Sequence, residues 1–220
     1  MKSPIENFFF KIALTGVLIV FMATDTLSQP QGYIPVDDTA AIRKKIAETT
    51  HSIRTINTQF IQEKSISFLE EKIMSKGKML FENPDKLRLE YTEPFTYLMI
   101  MNSGRMMTDN GSGKAEYDLR SNRLFGEIND LIISAVMGNI LDNKNFVSTV
   151  FGNNEKLFIR LVPNDAELIK YISRIELYLN RSDNSVTELK ITEPSEDYTL
   201  IRFTGKIINE TISPEFFYLR

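Results

Sequence analysis

The 220-residue chain carries 26 basic and 29 acidic side chains, a formal net charge of −3, one histidine and no cysteine. That balance excludes the electrostatic footprint of a nucleic-acid binder and the polybasic patch that holds a protein on anionic lipid. The missing cysteine excludes a disulfide scaffold, a thiolate zinc site, thiol catalysis and a lipid anchor attached through cysteine.

The N-terminus reads as a targeting segment rather than as part of the fold. Lys2 and Lys11 precede an apolar run, Ile12–Ala23, that falls well short of the roughly 20 residues a spanning helix needs. Small residues follow, and cleavage after Ser28 puts Thr26 and Ser28 at the −3 and −1 positions. The alternative is an uncleaved anchor in which Phe8–Phe10 extend the run past Lys11. Cleavage leaves residues 29–220, enough for one domain with a sizeable core. The charges removed, Lys2, Lys11, Glu6 and Asp25, balance one another, so the net charge stays at −3. A soluble, exported, cysteine-free chain fits the Gram-negative periplasm.

Gln29–Val36, with Pro30, Gly32 and Pro35, reads as a flexible lead-in. Asp37 and Asp38 offer N-caps to an amphipathic helix whose apolar face is Ile42, Ile46, Thr49, Ile53 and Ile56. Arg43, Lys44, Glu48 and the lone histidine, His51, lie on the solvated side. Near Asn57 the helix gives way to a strand ending around Ser67. Lys78–Glu82 and Leu87–Thr92 then alternate with period two about an Asn83-Pro84-Asp85 turn, which makes a half-buried antiparallel hairpin. Met79 and Phe81 share one face of its first strand, and Leu87, Leu89 and Tyr91 share one face of its second. Tyr97–Met101 is apolar on both faces and is expected to be a central strand. Gly113-Lys114 is no phosphate loop, because Thr108 and Ala115 stand where that motif needs Gly and Ser or Thr.

Arg120–Ile140 is a second helical stretch, with Leu124, Ile128, Leu131, Ile132, Ala135 and Val136 as its apolar stripe. From Phe146 the chain is a run of strands: Phe146–Phe151, Lys156–Pro163, Ile172–Asn180, Val186–Thr192, Thr199–Asn209 and a last one near Phe216–Leu219. Turn-forming residues separate them, as in a meandering antiparallel sheet.

The hairpin, with Pro84 after its first strand, Leu87-Arg88-Leu89-Glu90-Tyr91 as its second and Pro94 closing it, resembles the outer-membrane lipoprotein carrier family, LolA. Phe60-Ile61-Gln62 is similar to that family's Phe-x-Gln. The likeness covers Asp38 to Tyr117 well and the rest by element order. It implies an α+β fold in which an unclosed, curved antiparallel half-barrel of about ten strands is covered on its concave apolar face by two or more helices. Residues 120–140 then form a lid, although their pattern equally fits an ordinary helix packed on a sheet. The resemblance also implies an acyl-binding cavity formed by Met79, Phe81, Leu87, Leu89, Tyr91, Met99, Met101, Ile128, Leu131 and Ile132. Best-known members of the family carry Arg just before the first proline, where it fastens the lid. Asn83 stands there in this chain and lacks the charged five-donor fork of arginine.

Catalytic chemistry has little to stand on: one surface-type histidine, no thiol and scattered carboxylates, with no metal ligand set and no cofactor motif. What the chain has is soft apolar surface. Seven of the nine methionines follow residue 28, and five of them fall between residues 79 and 107. They serve either as core filling or as an adaptable lining. The expectation is therefore a non-enzymatic, monomeric periplasmic carrier of acylated lipoproteins. It would take cargo from an inner-membrane release complex and hand it to an outer-membrane acceptor. Carriage of other lipids or glycolipids, or a lipid-sensing module on the same fold, are the alternatives.

Overall fold

The computed structural model describes residues 30–219 apart from 122–125, 127–129, 132, 135–136 and 138–139. The targeting segment and, in the second helical stretch, Leu124, Ile128, Ile132, Ala135 and Val136 lie outside the described residues.

Strands of one antiparallel, unclosed, curved sheet make up most of the fold. In chain order they are β1 (Ile34–Pro35), β2 (Thr55–Ser65), β3 (Ile73–Glu82), β4 (Lys86–Glu93), β5 (Tyr97–Asn102) and β6 (Arg105–Asp109). Then follow β7 (Lys114–Asp118), β8 (Phe146–Gly152), β9 (Lys156–Pro163), β10 (Arg174–Asn180), β11 (Val186–Thr192) and β12 (Tyr198–Ile208). Their order across the sheet is β1-β8-β9-β10-β11-β12-β2-β3-β4-β5-β6-β7. Two hairpin meanders, β2–β7 and β8–β12, are thus joined where β12 pairs with β2, with Phe203 opposite Phe60. The outermost strands are β1, only two residues long, and β7, in which Lys114, Glu116 and Asp118 alternate.

Helix α1 (Thr39–His51) begins as its sequence predicts, with the Asp38 carboxylate accepting the Ala41 N–H at 3.0 Å. It stops short of Asn57. Ile53 and Ile56 are buried as expected, but they sit in the following turn and in β2. Asn209 explains the early exit: its Oδ1 accepts the Arg54 N–H at 2.7 Å and its Nδ2 donates to the Ser52 carbonyl at 3.0 Å. A side chain from the end of β12 thereby satisfies backbone groups that another helical turn would have used. Arg43 is a further correction: rather than facing solvent, it donates to Ser148 Oγ at 2.8 Å and to the Leu141 carbonyl. Gly126, Asp130, Leu131, Ile133, Ser134 and Met137 are helical too.

Three other expectations are corrected. The lead-in forms β1, with Val36 N–H donating to the Val150 carbonyl at 3.0 Å. A strand not read from the sequence, β7, pairs with β6. The last segment is a 3-10 turn, Pro214–Phe217, and not a strand. Proline starts that turn without wasting a donor. Phe217 is fully buried there against Leu80 and Ile212, on the convex side of the sheet.

The interior holds two clusters. One, built mainly from β8–β11, gathers Val150, Ile159, Leu161, Ile175, Leu177 and Leu189 with Ile46 of α1 and Leu131. The other, from β2–β5, gathers Ile56, Phe60, Met79, Phe81, Leu87 and Met101 with Leu119 and Met137. Ile201 and Phe203 of β12 pack against both. On the convex side an ion-pair chain crosses the β12–β2 joint: Lys72 to Glu63 at 2.7 Å, Glu63 to Arg202 at 3.8 Å, Arg202 to Glu188 at 3.4 Å and Glu188 to Lys156 at 3.3 Å. Beside it, Arg160 and Glu176 form a buried pair, with Nη2 and Nε reaching Oε1 at 3.1 and 3.3 Å.

Removing one side of a buried pair takes away the charge that offsets the desolvation of the other. Glu176→Leu should therefore lower the urea-unfolding free energy by about 3 kcal/mol, and Arg160→Met with Glu176→Leu should recover most of that loss.

Candidate functional site

Strand parity decides which side chains meet inside the curve. One row across five strands places Phe203 (β12), Phe60 (β2), Gly77 (β3), Tyr91 (β4) and Tyr97 (β5) side by side. The next rows are Thr58, Met79, Leu89, Met99 and then Ile56, Phe81, Leu87, Met101. The Phe60 and Tyr91 rings meet edge to face, 5.0 Å between centroids, and Tyr91 meets Tyr97 in the same way at 5.9 Å. Gly77 makes the first contact attainable. A Cβ there would lie 2.3 Å from the Glu90 carbonyl oxygen and 2.5 Å from Phe60 Cζ, so the Phe60 ring occupies the space of the missing side chain.

Where the two clusters fail to close on each other there is a cavity of about 130 Å³. The β2–β4 side supplies Phe60, Met79, Leu87, Leu89 and Tyr91; β11 and β12 supply Leu189, Ile191, Ile201 and Phe203. Leu89, Tyr91, Ile191, Ile201 and Phe203 are only half-buried. Strand alternation turns them inward, yet nothing among the described residues finishes their burial. The wall is apolar except at its edge, where the Tyr91 hydroxyl donates to Gln62 Oε1 at 2.9 Å. Burial, with Tyr97 nearby, pushes that phenol above its ordinary pKa.

Size limits what enters. A cavity of roughly 150 Å³ admits benzene, and pockets for drug-sized ligands run from about 300 to 1,000 Å³. The space seen here takes a few methylenes, so a whole acyl chain needs outward movement of whatever covers the sheet.

Of the residues expected at the site, Met79, Leu87, Leu89 and Tyr91 line the cavity, and Phe81, Met99 and Met101 belong to the cluster beside it. Leu131 is buried in the other cluster; Ile128 and Ile132 are outside the described residues. Asn83 is exposed at the β3–β4 turn, with its N–H donating to the Arg54 carbonyl at 2.8 Å and its Nδ2 to the Ile53 carbonyl at 3.2 Å. It fastens the exit of α1. Sequence reasoning missed Leu189, Ile191, Ile201 and Phe203. Their alternation with Glu188, Lys190 and Arg202 was a usable signal for a buried face, but not for which strand lies opposite.

Lys206 points into this interior. Gly205, at φ +62°, and a register shift between Thr204 and Ile207 make a bulge in β12. Beyond it Lys206 borders a small space shared with Ile53, Ile56 and Met137. Its Nζ donates to the Val186 carbonyl at 2.7 Å and lies 5.9 Å from the centre of the Phe203 ring. Burial pushes the ammonium down to about 8, and Asp183 opposes that shift. Among the described residues no group of three or more His, Cys, Asp or Glu side chains is placed to hold a metal ion, and no helix is long and apolar enough to cross a membrane.

A family model for the outer membrane lipoprotein carrier protein LolA matches residues 51–220. The chain belongs to the LolA family. No curated protein matches it at significant similarity. Solved structures similar to this LolA-family chain include a LolA superfamily protein from Nitrosomonas europaea, 9% identical, with a TM-score of 0.42 over 80% of this chain and 97% of that one. A putative outer membrane lipoprotein-sorting protein domain from Vibrio parahaemolyticus is 6% identical, with a TM-score of 0.41 over 81% of this chain and 94% of that one. The Pseudomonas aeruginosa MucA/MucB complex contains a chain 12% identical, with a TM-score of 0.48 over 80% of this chain and 59% of that one.

Two outcomes test this geometry. Gly77→Ala should cost about 3 kcal/mol in a urea titration, since backbone as well as ring must shift to admit the methyl group. Lys206, with a folded pKa near 8 against an unfolded value of 10.5, holds fewer protons folded than unfolded between those values. Stability should therefore rise as pH increases from 8 to 10, and Lys206→Met should flatten that rise. The window stops at 10 because Tyr178, held at about 12 by burial, opposes folding once the unfolded phenol ionises.

Proposed function

We propose that this chain is a periplasmic carrier that shields acyl chains of lipoproteins between the inner and outer membranes. Residues 1–28 direct export and 29–220 form the carrier domain. The observation that carries the reading is the apolar cavity at the joint of the two meanders, with half-buried side chains supplied from both. An acyl chain gains about 0.8 kcal/mol per buried methylene, so one C16 chain needs a surface offering roughly 12 kcal/mol before it leaves a bilayer. Leu89, Tyr91, Ile191, Ile201 and Phe203 supply part of that surface. Helix α1 and the helical residues between 126 and 137 act as the cover, and their displacement enlarges the cavity to the length of a chain.

Among the described residues the wall is apolar apart from the Tyr91 hydroxyl at its edge, which supports a binding role. Cargo arrives from an inner-membrane release complex and leaves to an outer-membrane acceptor, with the carrier monomeric in transit. Carriage of another lipid is favoured by one observation. Asn83 replaces the charged fork of the best-known members and fastens only the exit of α1.

Release of a triacylated lipoprotein from spheroplasts tests the reading. The exported protein should take the lipoprotein into the soluble fraction in a complex with it. Leu89→Glu, which puts a carboxylate into the cavity wall, should reduce recovery at least tenfold while the protein stays folded by circular dichroism. Undiminished release by Leu89→Glu would place the cargo elsewhere. Phospholipid or glycolipid on the purified protein, with no lipoprotein released, would shift the cargo to the second class.

A further inference from the structure

Lys206 has no part in an all-apolar account of the cavity. The β12 bulge at Gly205 turns its aliphatic stem in beneath α1, beside Ile53, Ile56 and Met137, and brings its ammonium close to Phe203, which lines the cavity itself. Among the described residues the ammonium has one hydrogen-bond acceptor, the Val186 carbonyl, and no carboxylate within ion-pair distance. Val186 lies beyond the last β11–β12 pair, Glu188 with Arg202, so the partner its carbonyl finds on β12 is this side chain and not the backbone ladder. Capping that carbonyl uses one of three ammonium donors. A neutral donor would do the same without the desolvation cost of a cation. What a cation adds is attraction for an anion.

We propose that Lys206 is the anchor for the anionic end of a single-chain amphiphile, a fatty-acid carboxylate, whose hydrocarbon tail runs past Phe203 into the apolar cavity. The inference rests on the reading of that cavity as an acyl site and adds a ligand class and an orientation to it. The space now bordered by Lys206 is about 20 Å³, enough for one water. Moving Thr49, Thr50 and Ile53 at the exit of α1 would uncover the ammonium. Among the described residues Asp183 is the acidic group that borders the same space, and it makes no ion pair with the ammonium, which keeps two donors for a ligand carboxylate.

The test compares palmitate with methyl palmitate, which differ in charge at one end, by displacement of a fluorescent apolar reporter from the full-length protein at pH 7. Wild type should bind palmitate about tenfold or more tightly than the ester, the ratio of one charge-assisted hydrogen bond. In Lys206→Met that ratio should fall to near one, and Lys206→Arg should keep the preference. On the unmodified protein, carbonyl-labelled ¹³C palmitate should titrate at a lower pH when bound than when free. Equal binding of acid and ester by wild type, or an unshifted carboxyl titration, would overturn the anchor and leave the acyl cavity standing. Failure of both ligands to bind wild type would overturn the cavity reading and the anchor together.

Discussion

The pairing of β12 with β2 is the interaction on which the rest depends. Each meander is locally specified by hairpins, and each makes its own apolar cluster. Closing the loop between residues some 140 positions apart costs entropy that grows only slowly with its length, and a run of cross-strand hydrogen bonds and inward side chains offsets it. Once β12 lies beside β2, Phe203 faces Phe60, and Ile201 touches both clusters. The two halves also acquire a shared convex surface, where Arg202 stands between Glu63 and Glu188. The cavity is what remains between two clusters held in register but not fused.

Much of this was legible in the chain. Lys156–Pro163 and Val186–Thr192 are read to the residue, because turn-formers flank both strands. Asn83-Pro84-Asp85 marks the hairpin that contributes four of the cavity residues. What escaped reading was decided at long range. The end of α1 is set by Asn209 rather than by the spacing of its isoleucines, and β1 exists because Phe151 and Gly152 are there to pair with it. Ile191 and Phe203 show period-two patterns like any half-buried strand. Only the partner strand makes them walls of a cavity.

Two physical demands pull against each other in such a site. A wall that buried its side chains completely would have no affinity left for cargo, and one that left them all in water would aggregate. The fold settles between these by leaving five lining side chains half-buried and the space between them small. Methionine and leucine, rather than rigid aromatic contacts throughout, let that space change shape. Gly77 contributes in the opposite sense, fixing the contact between the Phe60 and Tyr91 rings.

The two ends of the sheet bear on life in a crowded compartment. An unclosed sheet of this breadth presents two rows of free peptide groups, which any extended segment can recruit. Here one end is two residues long and contains Pro35, which has no N–H to offer; the other alternates Lys114, Glu116 and Asp118 along its length. Strand addition is therefore poorly rewarded at either end. An open sheet with an apolar interior persists only if its margins discourage other chains, as a two-residue strand with proline and a strand of alternating charges do here.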